Sequence, residues 1–142
     1  MKIIVTGHGN FASGIESTVK LLAGKINGVE YIDFTENMSE EDITSKFERS
    51  VNSDEHIVFF CDLLGGTPYK QAAALSAKSK KDISVICGCN VGSLLENGLI
   101  GLDSFKSSHE LANAIIESAK KGIRQFGVQV SSSATEPESD GI

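Results

Sequence analysis

The chain has 142 residues, 40% of them hydrophobic and 23% charged, which is enough for one domain to bury its own core without disulfides or a metal. No apolar run approaches the roughly 20 residues that span a bilayer, and Met1-Lys2 leads into a short strand-like run rather than a signal peptide, so a cytoplasmic protein without membrane insertion is expected. The formal charge of -6, with no basic stripe interleaved with aromatics, argues against a nucleic-acid partner.

In chain order, Ile3-Ile4-Val5 predicts a first strand, Gly7-His8-Gly9 a tight loop, and Phe11, Ile15, Val19 and Leu22 the apolar face of a helix. Val29 to Phe34 predicts a second strand. Ser39 before Glu40, Glu41 and Asp42 is a helix start with acids in its first turn, and Ile43, Phe47 and Val51 mark the buried side. His56 to Cys61 is the most continuous apolar run, as expected of a central strand covered on both faces. Thr67 followed by Pro68 reads as an N-cap with proline at the first helical position, opening an alanine-rich helix to about Ser79. Asp82 to Cys87 predicts a fourth strand, and Asn90 to about Ile100 a helix. Ser107 with Glu110 reads as a capping box for a long closing helix marked by Leu111, Ile115, Ala119, Ile123 and Phe126.

This strand-helix rhythm implies one α/β domain over residues 1–130, doubly wound, with four parallel strands in order 2-1-3-4 and helices on both faces. Val128-Gln129-Val130 would add a very short C-terminal edge strand. Residues 131–142, SSSATEPESDGI, are small, polar and acidic, and are expected to form a disordered tail.

Three cysteines, Cys61, Cys87 and Cys89, end apolar runs; their odd number without a secretion signal argues for reduced thiols. Cys87-Gly88-Cys89 has no second ligand pair at zinc-like spacing, and His56 and His109 are isolated in the sequence. No metal site is expected.

Two loops carry the candidate chemistry. Taken alone, Gly7 and Gly9 read equally well as a turn, His8 as a solvated loop residue, Asp62 as a holder of its own loop and Thr67 as a helix cap. Position separates these readings from a functional one. In order 2-1-3-4, strands 1 and 3 are neighbours at the point where the chain reverses direction, and ligands bind in that crevice in open α/β sheets. His8 leaves one strand there and Asp62 the other. A carboxylate bonded to one imidazole nitrogen fixes the tautomer and leaves the other nitrogen free to attack. Backbone donors at Gly9, Asn10 and Phe11, and at Gly65, Gly66 and Thr67, would receive a phosphate. Leu63, Leu64 and Phe11 would ring the site if exposed, although burial is the default for each.

A competing reading is a dinucleotide-binding module. Gly7, Gly9 and Ala12 fit G-x-G-x-x-A, and Asp33 ends the second strand where a ribose-binding acid belongs. Against it, His8 between the glycines would crowd a pyrophosphate. A response domain would need acids at the first strand end, where Val5-Thr6-Gly7 has none, and no G-x-S-x-G elbow supports a hydrolase.

The segments Val5-Thr6-Gly7-His8-Gly9 with Phe11-Ala12-Ser13-Gly14, and Asp62-Leu63-Leu64-Gly65-Gly66-Thr67-Pro68, resemble the IIA component of the mannose-family sugar phosphotransferase system of bacteria. The resemblance runs from Met1 to about Phe126 and is closest in motif wording to members serving N-acetylgalactosamine or other amino sugars. It implies a phosphotransferase in which His8 takes a phosphoryl group from the phosphocarrier HPr and passes it to a IIB component, serving the membrane components IIC and IID indirectly. It implies Asp62 as the hydrogen-bonded partner of His8, no cofactor, and a homodimer in which a C-terminal edge strand pairs with the other subunit. Some relatives continue through a linker into a IIB domain; the end of this sequence in an acidic tail suggests a separate polypeptide.

Overall fold

The computed structural model describes residues 1–129. Four strands, β1 (Lys2–His8), β2 (Val29–Phe34), β3 (His56–Cys61) and β4 (Asp82–Cys87), alternate with helices α1 (Phe11–Ala23), α2 (Glu40–Val51), α3 (Thr67–Lys78) and α4 (Val91–Leu99); a short 3-10 turn, Leu102–Ser104, precedes α5 (Ser108–Lys121). The sheet order is β2-β1-β3-β4 and every pairing is parallel. The expected doubly wound architecture is therefore the one observed.

The core lies in two layers because each central strand sends alternate residues to opposite faces. Ile3 and Val5 of β1 join Val58, Phe60, Val19, Leu94, Leu111 and Ile115, under α1, α4 and α5. Ile4 joins Ile57, Phe59, Ile43, Phe47 and Leu75, under α2 and α3. In that second layer the Phe47 and Phe59 rings meet edge to face, with centroids 4.8 Å apart.

Side-chain caps set several helix boundaries. Ser39 Oγ accepts from the Asp42 amide while Asp42 accepts from the Ser39 amide, a complete capping box that starts α2. At α5, Ser107 Oγ accepts from the Glu110 amide, but the Glu110 carboxylate reaches back to the Lys106 amide, one residue beyond the expected box.

Several expectations shift. Strand β1 continues through His8 instead of ending at Val5, so His8 is the last strand residue and not a loop residue. Leu22 is exposed, and Ala12 and Val19 provide the buried face of α1. Helix α5 stops at Lys121, with the Gly122 N–H still bonded back to the Ser118 and Ala119 carbonyls, and Ile123 and Phe126 lie exposed beyond the helix. Val128 and Gln129 form no strand; Val130 and the expected tail, 131–142, lie outside the described residues. No helix among the described residues is long and apolar enough to cross a membrane.

Candidate active site at the switch point

At the carboxyl edge of the sheet, β1 and β3 are neighbours whose chains leave in opposite directions, α1 crossing one face and α3 the other. His8 ends β1 and Asp62 follows β3, and the two side chains meet. The Nδ1 of His8 lies 2.8 Å from Asp62 Oδ2, and the same oxygen accepts the His8 backbone N–H at 2.9 Å. Two bonds from one residue to one carboxylate oxygen fix both the ring and the strand end. With Nδ1 engaged, Nε2 is the nitrogen with a free lone pair. The imidazole is 44% exposed while Asp62 is only 14% exposed, so the ring is open to a reacting group from one side and anchored from the other.

Two glycines make this contact possible for steric reasons. A Cβ on Gly7 would lie 2.8 Å from Asp62 Cγ and 2.6 Å from Phe11 Cδ1. A Cβ on Gly66 would lie 2.5 Å from His8 Cε1 and 3.2 Å from Nε2. Carboxylate and ring therefore occupy space that any other residue would fill. Phe34, at the end of β2, closes the third side, its ring edge to face with the imidazole at 5.9 Å.

The expected donor residues are differently placed. Gly9, in a positive-φ conformation, spends its N–H on the Phe34 carbonyl at 2.8 Å, in an antiparallel bridge to β2. Its donor thus points away from an incoming ligand. Asn10 is the N-cap of α1 without a side-chain cap bond, and Phe11 is the first helical residue, whose N–H has no intrahelical acceptor. Phe11 itself is half-buried. Across the crevice, Gly65 takes positive φ and Gly66, not Thr67, is the N-cap of α3, because the helix begins one residue earlier than the Thr-Pro signal indicates. Gly66 N–H is engaged in a long turn bond to the Leu63 carbonyl at 3.4 Å. Thr67 opens the helix, next to the Gly66 that packs on the His8 ring, so its N–H is one of the donors at the start of α3 without an intrahelical acceptor. Leu63 and Leu64 are 58% and 70% exposed, against the default of burial.

Asp33 is the residue whose role the sequence assigned differently. Its Oδ1 accepts the Ser13 N–H at 2.9 Å, so it caps α1 from the end of β2. The signal was available only through sheet order, since residue 33 is not local to residue 13. This engagement and the position of His8 disfavour the dinucleotide reading.

The cysteines do not form a chelating pair. Gly88 takes positive φ, so Cys87 packs with the α2/α3 layer and Cys89 with the α1/α4/α5 layer. Burial first, then the Asp62 charge, pushes the Cys89 thiol up to about 12 and raises Cys61 as well, so neither is a thiolate near neutral pH. His56 is not isolated in space: its Nδ1 bonds Asp82 at 2.7 Å, at the opposite edge of the sheet.

An exposed imidazole held by a carboxylate lies between two helix starts at the switch point of a parallel sheet, a geometry suited to nucleophilic group transfer. Residues 2–120 match the family described as "PTS system fructose IIA component", and the chain belongs to that family, the IIA components of the phosphotransferase system. These components are phosphotransferases that act through a phosphohistidine. The chain is 26% identical over 125 residues to the PTS system mannose-specific EIIAB component of Escherichia coli K12, a match covering 86% of this chain and 38% of that relative. It thus spans well under half the length of that curated protein. It is 26% identical over 99 residues to the PTS system fructose-specific EIIA component of Bacillus subtilis, covering 68% of this chain and 67% of that one. The crystal structure of phosphotransferase system component EIIA from Streptococcus agalactiae superposes with a TM-score of 0.83 at 37% identity, covering 88% and 96% of the two chains. The mannose/sorbose specific IIA subunit from Enterococcus faecalis, at 16% identity and TM-score 0.79, shares the fold, covering 92% and 98%.

Proposed function

We propose that this protein is a phosphoryl carrier in a sugar phosphotransferase system, receiving the group from phospho-HPr on His8 Nε2 and delivering it to a IIB component. The observation that carries the reading is the hold of Asp62 on His8 Nδ1, which aims the lone pair of Nε2 outward. In the forward step that lone pair attacks phosphorus, the P–N bond of the donor phosphohistidine breaks, and its electron pair returns to the donor ring. The Nδ1 proton of His8 stays shared with Asp62, whose charge stabilises the ring as it becomes cationic. Transfer to IIB is the same reaction in reverse, with His8 as leaving group.

Phe11 N–H, Thr67 N–H and the Thr67 hydroxyl are the donors placed to meet phosphoryl oxygens. The exposed Leu63 and Leu64 form the apolar rim on which donor and acceptor would dock in turn. The reading places the protein in the cytoplasm as a homodimer, with no metal or nucleotide in the step, since the donor already carries an activated phosphohistidine. Motif wording favours an amino-sugar system, although the IIA component does not contact the sugar.

The test is phosphorylation with phosphoenolpyruvate, enzyme I and HPr. One acid-labile, base-stable phosphoryl group per chain is expected on His8 Nε2, detected by phosphorus NMR and by mass. His8→Ala should abolish it, and His56→Ala and His109→Ala should label normally. A label on His56, His109 or a hydroxyl would overturn the reading.

A further inference from the structure

Asp33 stands close to the reactive histidine without touching it. It is opposite Gly7 in the β1–β2 register, next to Phe34, whose ring packs on His8, and its Oδ1 accepts from Ser13 in the first turn of α1. It is half-buried and, among the described residues, makes no ion pair. The helix it caps is the one whose amino end faces the phosphoryl site.

Two effects of a carboxylate at this position oppose each other. As an acceptor it satisfies one free N–H and orients the helix start, which helps build an anion site. As a charge it offsets the positive end of the helix and repels a phosphoryl dianion. A neutral side chain such as Asn, Ser or Thr would provide the first effect alone, so the acid is informative.

We propose that Asp33 is a positioning residue that tunes the phosphoryl-transfer potential of His8: it holds the start of α1 in place while its charge keeps the phosphoryl group from being bound too tightly to leave. This rests on the carrier reading of His8. A relay must be nearly balanced in energy with its donor and acceptor, and a histidine backed by an uncompensated helix start would retain the group. Asp62 works on the ring and Asp33 on the phosphoryl oxygens, so two carboxylates flank one histidine with separate tasks.

Asp33→Asn separates the two effects, because the amide oxygen still accepts from Ser13 while the charge is gone. Two measurements are needed: the equilibrium constant for transfer between HPr and this protein, and the affinity of the unphosphorylated protein for inorganic phosphate, followed through the His8 ring signals. Asp33→Asn is expected to shift the equilibrium toward the phosphorylated form and to tighten phosphate binding, each about three- to tenfold, with the shift shrinking as salt is raised. Melting temperature should stay near wild type, whereas Asp33→Ala should lower it by loss of the cap. Unchanged phosphate affinity and an unchanged transfer equilibrium in Asp33→Asn would overturn the proposal, as would phosphate binding undetectable in both forms. If HPr fails to label His8 while Asp33→Asn still tightens phosphate binding, the carrier reading falls and the charge effect stands.

Discussion

A single oxygen, Asp62 Oδ2, takes both the backbone N–H of His8 at 2.9 Å and its ring Nδ1 at 2.8 Å. The other carboxylate oxygen, Oδ1, is buried with no hydrogen-bond partner among the described residues, so the hydrogen bonding of this carboxylate is committed to one residue. Asp62→Asn removes the charge and presents a group that can face the ring as donor. Loss of about 10²-fold or more in transfer rate is expected, in line with general-base and electrostatic contributions elsewhere. Stopped labelling with phospho-HPr measures it; a wild-type rate would reduce Asp62 to a turn residue.

Gly66→Ala tests the space around the ring. The added methyl would sit 2.5 Å from His8 Cε1, so the imidazole must move off the Asp62 carboxylate. The backbone at Gly66 is extended, with φ -73 and ψ 168, which alanine adopts without strain, so stability should change by less than about 1 kcal/mol. Transfer should fall by about tenfold or more, because a small displacement of an attacking atom is costly. Urea melts and single-turnover labelling, run side by side, separate these outcomes.

Asp82 is expected to make stability depend on pH in the acid range. Asp82 accepts from the Ser108 hydroxyl at 2.6 Å, the Ser108 amide at 2.7 Å and His56 Nδ1 at 2.7 Å. Burial alone would raise its carboxyl, but those bonds outweigh it and hold the pKa below the ordinary 3.8. A carboxyl depressed in the folded state contributes stability that is present above the unfolded value and is lost as pH falls through the folded one. Ser108→Ala should therefore destabilise the protein most at neutral pH, and part of the difference from wild type should vanish below about pH 4. Urea midpoints measured from pH 7 down to pH 2 provide the check; a gap constant over that range would remove Asp82 from the account.

The segment after α5 provides a test of assembly. Ile123, Phe126 and Val128 are exposed, and β4 is an edge strand with no further partner among the described residues. Removing residues 126–142 should convert the expected dimer to monomers by light scattering, whereas removing 131–142 should leave both the oligomeric state and transfer unchanged. A dimer that survives the longer deletion would place the interface elsewhere.

The four strands, their order and the meeting of His8 with Asp62 were legible in the sequence because they depend on local pattern and on one topological rule. An apolar run such as His56 to Cys61 buries on both faces whatever surrounds it, and parallel strands joined by helices leave few permitted orders. Chain termini of helices were less legible: Thr67 became the first residue of α3 and α5 ended at Lys121, since a cap is decided by competition among neighbouring groups. Other features were decided only in three dimensions. Gly66 is small because the His8 ring occupies its side-chain space, Gly9 gives its N–H to Phe34, and Asp33 caps a helix that begins more than twenty residues before it. Sequence by itself determined which strand ends bear His8 and Asp62, since the apolar runs and the glycine-flanked loops suffice for that. Only the tertiary structure decided how those groups are aimed, because hydrogen-bond direction and steric exclusion arise from contacts between segments that share no local pattern.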